Sequence, residues 1–206
     1  MDPDGIVLFG GTFDPIHHAH LIVARAAAET LQARKVILIP AAQPPHKDSH
    51  ALTPAEHRLE MVRLATAGES LFEVSDCELQ RSGPSYSLDT VRHFRRLYGP
   101  NVLLYWLIGA DSVKELPGWH QIKKLAEECT LVTAARPGVK LDRLDPLAGI
   151  LSPAQLSRFR EYIIETPLLD ICATDIRLRV AAGLTISFLT PTLVQNYIAR
   201  QKLYAP

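Results

Sequence analysis

Residues 10–20 read GGTFDPIHHAH and follow directly on the apolar run IVLF. An apolar strand that ends in glycines and turns into a helix offers the chemistry of an anion site. Gly10 and Gly11 let backbone approach a ligand with no Cβ in the way. The first amides of the helix have no partner inside it and carry its positive dipole end. The spacing is neither the G-x-G-x-x-G of dinucleotide folds nor the G-x-x-x-x-G-K-[ST] of phosphate loops, whose lysine is missing. His17 and His20 stand there instead. Three residues apart, they are expected to share one face of the first turn, where two imidazoles can donate hydrogen bonds to phosphate oxygens. A single histidine is ordinarily a solvent-facing or core-satisfied ring, but a pair in register with a glycine turn and a helix start points to phosphate. His18 falls elsewhere on the helix and keeps the ordinary reading.

Other segments add groups of the same kind. In PPHK, residues 44–47, two prolines stiffen a loop that can hold Lys47 over a cleft as a point charge. In ICATDIR, residues 171–177, Thr174 can cap a new helix and leave its first amides for phosphate, with the Arg177 fork three residues on. In PSYSLDT, residues 84–90, Ser87 can cap a helix that has Thr90 in its first turn. Pro117, Gly118 and His120 flank Trp119 and suggest a loop, where a tryptophan face is a platform worth about 1–3 kcal/mol to a stacked base.

The elements that must position these groups follow from periodicity. Continuous apolar runs at 6–9, 36–40, 102–108 and 131–134, and a shorter one at 71–75, read as strands covered on both faces. Amphipathic helices are expected at 18–31, 54–67 and 88–98, the second with Thr53 as cap and Glu56 completing a capping box. Alternation of this kind implies a doubly wound parallel sheet with helices on both faces, a Rossmann-like α/β fold. Later in the chain, Ser152 and Gln155 form a second capping box, an extended segment follows near 162–171, and helices are expected near 174–182 and 191–202. We read residues 1–206 as one domain with a helical C-terminal portion from about 166.

Bulk composition narrows the function classes. The 22 basic and 22 acidic residues cancel, so no global field draws the chain to nucleic acid or an anionic membrane. Aromatic and basic residues are not interleaved as RNA binding would need. Cys77, Cys129 and Cys172 are few and odd in number, which argues for a reducing compartment and against a disulfide framework. No run approaches the roughly 20 apolar residues of a membrane span, and a cytoplasmic location is the expectation.

GGTFDPIHHAH resembles the G-G-T-F-D-P-I-H-x-G-H segment of bacterial nicotinate mononucleotide adenylyltransferases, in the nucleotidyltransferase superfamily that carries H-x-G-H motifs. PPHK, PSYSLDT, IGADSVKELPGW, AARPG and ICATDIR are similar to further blocks of that family, in the same order, from Leu8 to Tyr204. The resemblance implies transfer of the adenylyl group of ATP to nicotinate mononucleotide, giving nicotinate adenine dinucleotide and pyrophosphate in NAD biosynthesis. It implies His17, His20, Lys47 and Arg177 as the catalytic set. ATP would meet Gly10, Gly11, Thr12, Phe13, Gly109, Asp111, Arg136, Thr174 and Ile176. The mononucleotide would meet Lys47, the backbone around Ser87, Thr90, the face of Trp119 and the amide of His120. Two distant anion-binding helix starts are then halves of one triphosphate site. Mg²⁺ is expected to come with ATP, keeping most of its waters, with no carboxylate cage. Ala19 departs from the family's glycine and Cys172 from its serine, a thiol being a weak donor. The alternatives are nicotinamide mononucleotide or pantetheine phosphate as acceptor, or a non-catalytic nucleotide- or RNA-binding module of the same fold.

Overall fold

The computed structural model describes residues 5–45, 52–135, 145–167 and 169–205. Six strands form one parallel sheet: β1 (Gly5–Gly11), β2 (Lys35–Pro40), β3 (Phe72–Val74), β4 (Leu103–Gly109), β5 (Thr130–Ala135) and β6 (Ile163–Glu165). Their spatial order is β3-β2-β1-β4-β5-β6. β1 pairs with β2 from Ile6↔Lys35 to Gly11↔Pro40, and with β4 from Gly5↔Leu103 to Leu8↔Trp106. The winding therefore reverses between β1 and β4, and the crevice beyond their carboxyl ends is where such sheets bind ligands. Gly10, Gly11 and Gly109 sit at those ends.

Alternation along the strands divides the core. Ile6, Leu8, Ile37, Ile39, Leu104, Trp106 and Ile108 lie in one buried cluster, with Leu88, Val91 and Phe94 of α3 (Ser87–Tyr98), Leu125 of α4 (Ile122–Glu128) and Phe159 of α6 (Pro153–Glu161). Val7, Phe9, Val36, Leu38, Tyr105 and Leu107 lie in the other. They are joined there by Ala24, Ala27 and Ala28 of α1 (His18–Thr30), Met61 and Val62 of α2 (Ala55–Ala65), Ile176 of α7 (Ala173–Ala181) and Val194 of α8 (Thr192–Gln201). Alternate residues within each strand thus face opposite helical layers. The short helix α5 (Asp145–Ala148) adds Leu147 to the first cluster.

The caps expected at α2 and α3 are not made. α2 begins after Pro54 with no side-chain cap; the Thr53 N–H donates to Oδ2 of Asp14 at 3.2 Å and its carbonyl accepts from Arg58 at 2.8 Å. α3 takes Tyr86 as its N-cap, and Ser87 is its first helical residue. The box at Ser152 and Gln155 forms as expected, with both reciprocal bonds.

Candidate active site

Gly10 and Gly11 are required first by packing. A Cβ on Gly10 would lie 2.8 Å from the Trp106 ring, and one on Gly11 would lie 2.8 Å from the Phe13 ring. Their role as bare backbone beside a ligand is thus second to making room for two aromatic rings. Phe13 is buried at φ +49° and sets its edge against His20, with centroids 5.1 Å apart.

His17 is not in the first turn but is the N-cap of α1, in extended conformation. Its ring nevertheless stacks on that of His20, with centroids 3.7 Å apart. The juxtaposition expected from helical spacing is produced instead by half of a capping box: the His17 N–H donates to Nδ1 of His20 at 3.2 Å. The other half lacks hydrogen-bond geometry. The N–H of His20 goes to the His17 carbonyl at 3.0 Å, and Nδ1 of His17 is buried without a partner among the described residues. Two consequences follow. An Nδ1 that accepts cannot carry a proton, so His20 holds its proton on Nε2. Burial, helped by His18, lowers the pKa of His17 to about 4, so this ring is neutral at pH 7.

The far end of the chain closes onto the same loop. Arg177 Nη1 donates to the Asp14 carbonyl at 2.7 Å, the Tyr204 hydroxyl to Oδ1 of Asp14 at 2.6 Å, and the Thr190 hydroxyl to the Ile16 carbonyl at 2.7 Å. The His18 N–H donates to the Leu189 carbonyl at 3.0 Å. Cys172, not Thr174, is the N-cap of α7, its sulfur accepting from the Asp175 N–H at 3.5 Å. Thr174 lies inside the first turn, where its hydroxyl accepts from Arg177 at 3.3 Å.

These two regions line one cavity of about 640 Å³, within the range of small-molecule sites. Its wall includes His17, Ala19 and His20 from the first region and Cys172, Thr174 and Arg177 from the second, with Phe13 and Gly109. A second cavity, of about 140 Å³, is lined by Gly10, Gly11, Ser87, Trp106, Trp119 and His120 among others. Thr12 belongs to both. The Trp119 Nε1 is buried without a partner among the described residues, and the His120 ring stacks on Tyr86 at 4.0 Å. Two chambers that share Thr12 in their walls, one with imidazoles and an arginine and one with tryptophan, suit a polyphosphate and a flat ring.

The cytidylyltransferase-like family model matches residues 8–179. A protein of Moorella thermoacetica named "Probable nicotinate-nucleotide adenylyltransferase" is 45% identical, over 99% of this chain and 93% of its own. One of Thermomicrobium roseum with the same name is 44% identical, over 96% and 90%. The chain belongs to the nicotinate-nucleotide adenylyltransferases of the cytidylyltransferase-like family. The Plasmodium falciparum nicotinic acid mononucleotide adenylyltransferase, solved in complex with NaAD, superimposes with a TM-score of 0.75 over 97% of each chain. At 22% identity that likeness is one of fold.

Some residues that the motifs single out fall elsewhere. Thr90 is fully buried and does not line the second cavity; its hydroxyl donates to Oε1 of Glu78 at 2.5 Å and accepts from Arg81 at 3.0 Å. Ile176 is a core residue. Lys47 and Arg136 lie outside the described residues, as does the side chain of Asp111.

Other residues in these walls or behind them are not singled out by the motifs. Ser85 ties loop to loop, its hydroxyl accepting from the N–H groups of Ala42 at 3.0 Å and Gln43 at 3.1 Å. Glu78 is buried in the wall of the second cavity, and burial pushes its carboxyl upward against hydrogen bonds from Thr90 and Ser85. Arg58 is 1% exposed. Its signal was present: it stands on the apolar stripe of α2 with Met61, Val62 and Ala65, at helical spacing. Among the described residues, no helix is long and apolar enough to cross a membrane.

Proposed function

We propose that the chain transfers the adenylyl group of ATP to nicotinate mononucleotide, releasing pyrophosphate and forming nicotinate adenine dinucleotide. The observation that carries this reading is the meeting of the two cavities at Thr12, the larger with the histidine pair and Arg177, the smaller with Trp119. The reaction is attack by the mononucleotide's 5′-phosphate on the α-phosphorus of ATP, and it needs no covalent enzyme intermediate. What the protein must do is align two anions that repel each other and offset the charge that moves to the leaving group.

In the larger cavity, Nε2–H of His20 donates to phosphate oxygens near the reacting centre, with the neutral His17 stacked against it. The Arg177 guanidinium and the first amides of α7 hold the β- and γ-phosphates. Lys47 offsets charge on the incoming phosphate, while Gly109, Asp111 and Arg136 bound the nucleoside. Among the described residues no group of three or more His, Cys, Asp or Glu side chains could hold a metal ion. Mg²⁺ enters this reading as part of the substrate, bound to the triphosphate and keeping most of its waters.

In the smaller cavity, Trp119 stacks on the pyridine ring. Ser87, in its wall, is the first residue of α3, whose leading amides have no partner within the helix. That positive end favours the acid substrate over the amide. Parallel assays of pyrophosphate release from ATP, with nicotinate mononucleotide, nicotinamide mononucleotide, pantetheine phosphate or no acceptor, test the reading. Release with the acid at least tenfold faster than with the others is expected. Equal or faster release with another acceptor would reassign the substrate, and no acceptor-dependent release would leave a nucleotide-binding module.

A further inference from the structure

A buried cation stands behind the junction of the two cavities. Arg58 Nη1 donates to the carbonyls of Thr12 at 2.8 Å and Ala41 at 2.7 Å, Nη2 to that of Ala42 at 3.4 Å, and Nε to that of Thr53 at 2.8 Å. It makes no ion pair with a carboxylate among the described residues, and the carboxylate of nearby Asp14 is instead engaged by Thr53 and Tyr204. A guanidinium in such a place costs several kcal/mol of desolvation, and burial lowers its pKa. What it obtains is geometric. One rigid fork ties together three separate segments, at 12, at 41–42 and at 53.

Those segments are walls of the site. Thr12 lines both cavities, Ala41 lines the smaller, and Leu52, next to Thr53, lines the larger. Resting on the proposed two-substrate reaction, we infer that Arg58 is a positioning residue that fixes the separation of the two substrates by holding Thr12 in register with the 41–42 and 53 backbone. Such a residue touches neither substrate. Its loss should leave each substrate's own binding nearly intact while misaligning the pair, and a displacement of about 1 Å costs on the order of a hundredfold in rate.

The test uses the full chain with Arg58→Lys, which keeps the charge but cannot span three carbonyl segments, and Arg58→Gln, which removes the charge. Wild-type enzyme must first form the dinucleotide from ATP and nicotinate mononucleotide; if it does not, the proposed function fails and Arg58 is not at issue. For each variant that unfolds cooperatively, kcat is measured with saturating substrates, and the dissociation constants of ATP alone and of mononucleotide alone are measured by calorimetry. kcat should fall more than about tenfold in both variants, with each binary dissociation constant within about threefold of wild type. A kcat within about threefold of wild type would overturn it. So would a loss carried entirely by weaker binding of one substrate. If neither variant gave folded protein, Arg58 would be assigned to stability alone.

Discussion

His20→Ala removes three things that the structure separates. The first is the Nε2–H donor in the larger cavity. Loss of one preorganised donor to a developing charge lowers kcat by about 10²–10³, or roughly 3–4 kcal/mol. The second is the acceptor for the His17 N–H, a capping bond worth about 1 kcal/mol. The third is the edge contact with Phe13, worth about 0.5–1.5 kcal/mol. The last two sum to roughly 2 kcal/mol of stability, or about 4–8 °C in Tm for a chain of this size. A domain with ordinary stability survives that loss, so turnover can be measured on folded protein. His20→Asn separates the effects, because its amide oxygen can take up the His17 N–H. It should regain part of the Tm but little of the kcat. The assay is dinucleotide formation at saturating substrates, with thermal unfolding followed in parallel. If kcat for folded His20→Ala stayed within about threefold of wild type, or if kcat tracked Tm across both variants, His20 would be a structural cap and no more.

Three other perturbations have distinct signatures. Trp119→Ala should weaken mononucleotide binding by about 1–3 kcal/mol and leave ATP affinity nearly unchanged, as read by separate titrations; the reverse pattern would remove Trp119 from the pyridine site. Arg177→Ala should weaken ATP binding by about 1.5–3 kcal/mol, the worth of charge-assisted hydrogen bonds, with mononucleotide binding kept; calorimetry with each ligand decides. His17 has its folded pKa lowered from 6.5 to about 4, so the unfolded chain binds more protons between those values. Stability should therefore fall as pH drops from about 6.5 towards 4, by on the order of 3 kcal/mol in all, and denaturant unfolding across that range should show a shallower slope for His17→Gln.

How much of this was legible in the sequence depended on whether the cause was local. β1, β2, β4 and β5 are predominantly apolar because helices cover both their faces, and that pattern survives in one dimension. α4 spans only seven residues, after Gln121 in the left-handed region, too short for periodicity to register. The caps at Thr53 and Thr174 fit local rules, yet Thr53 is drawn to Asp14 and Arg58 by tertiary contacts, and Cys172 takes the cap that Thr174 could have filled. The same logic governs the site. His17, His20 and Arg177 carry their chemistry in their side chains and could be named from motif and spacing. Glu78, Ser85 and Arg58 act by holding backbone or side chains that lie from 5 to 46 positions away, and no local pattern announces such a partner.

Labelled phosphate reports which bond of ATP breaks and what accepts the adenylyl group. Incubation with nicotinate mononucleotide and ATP labelled in either its α- or its γ-phosphate tests the proposed transfer most directly. The α-label should appear in nicotinate adenine dinucleotide and the γ-label in pyrophosphate, in equal amounts. Label from the γ-phosphate in free orthophosphate or on the mononucleotide, with no α-label in a dinucleotide, would contradict it.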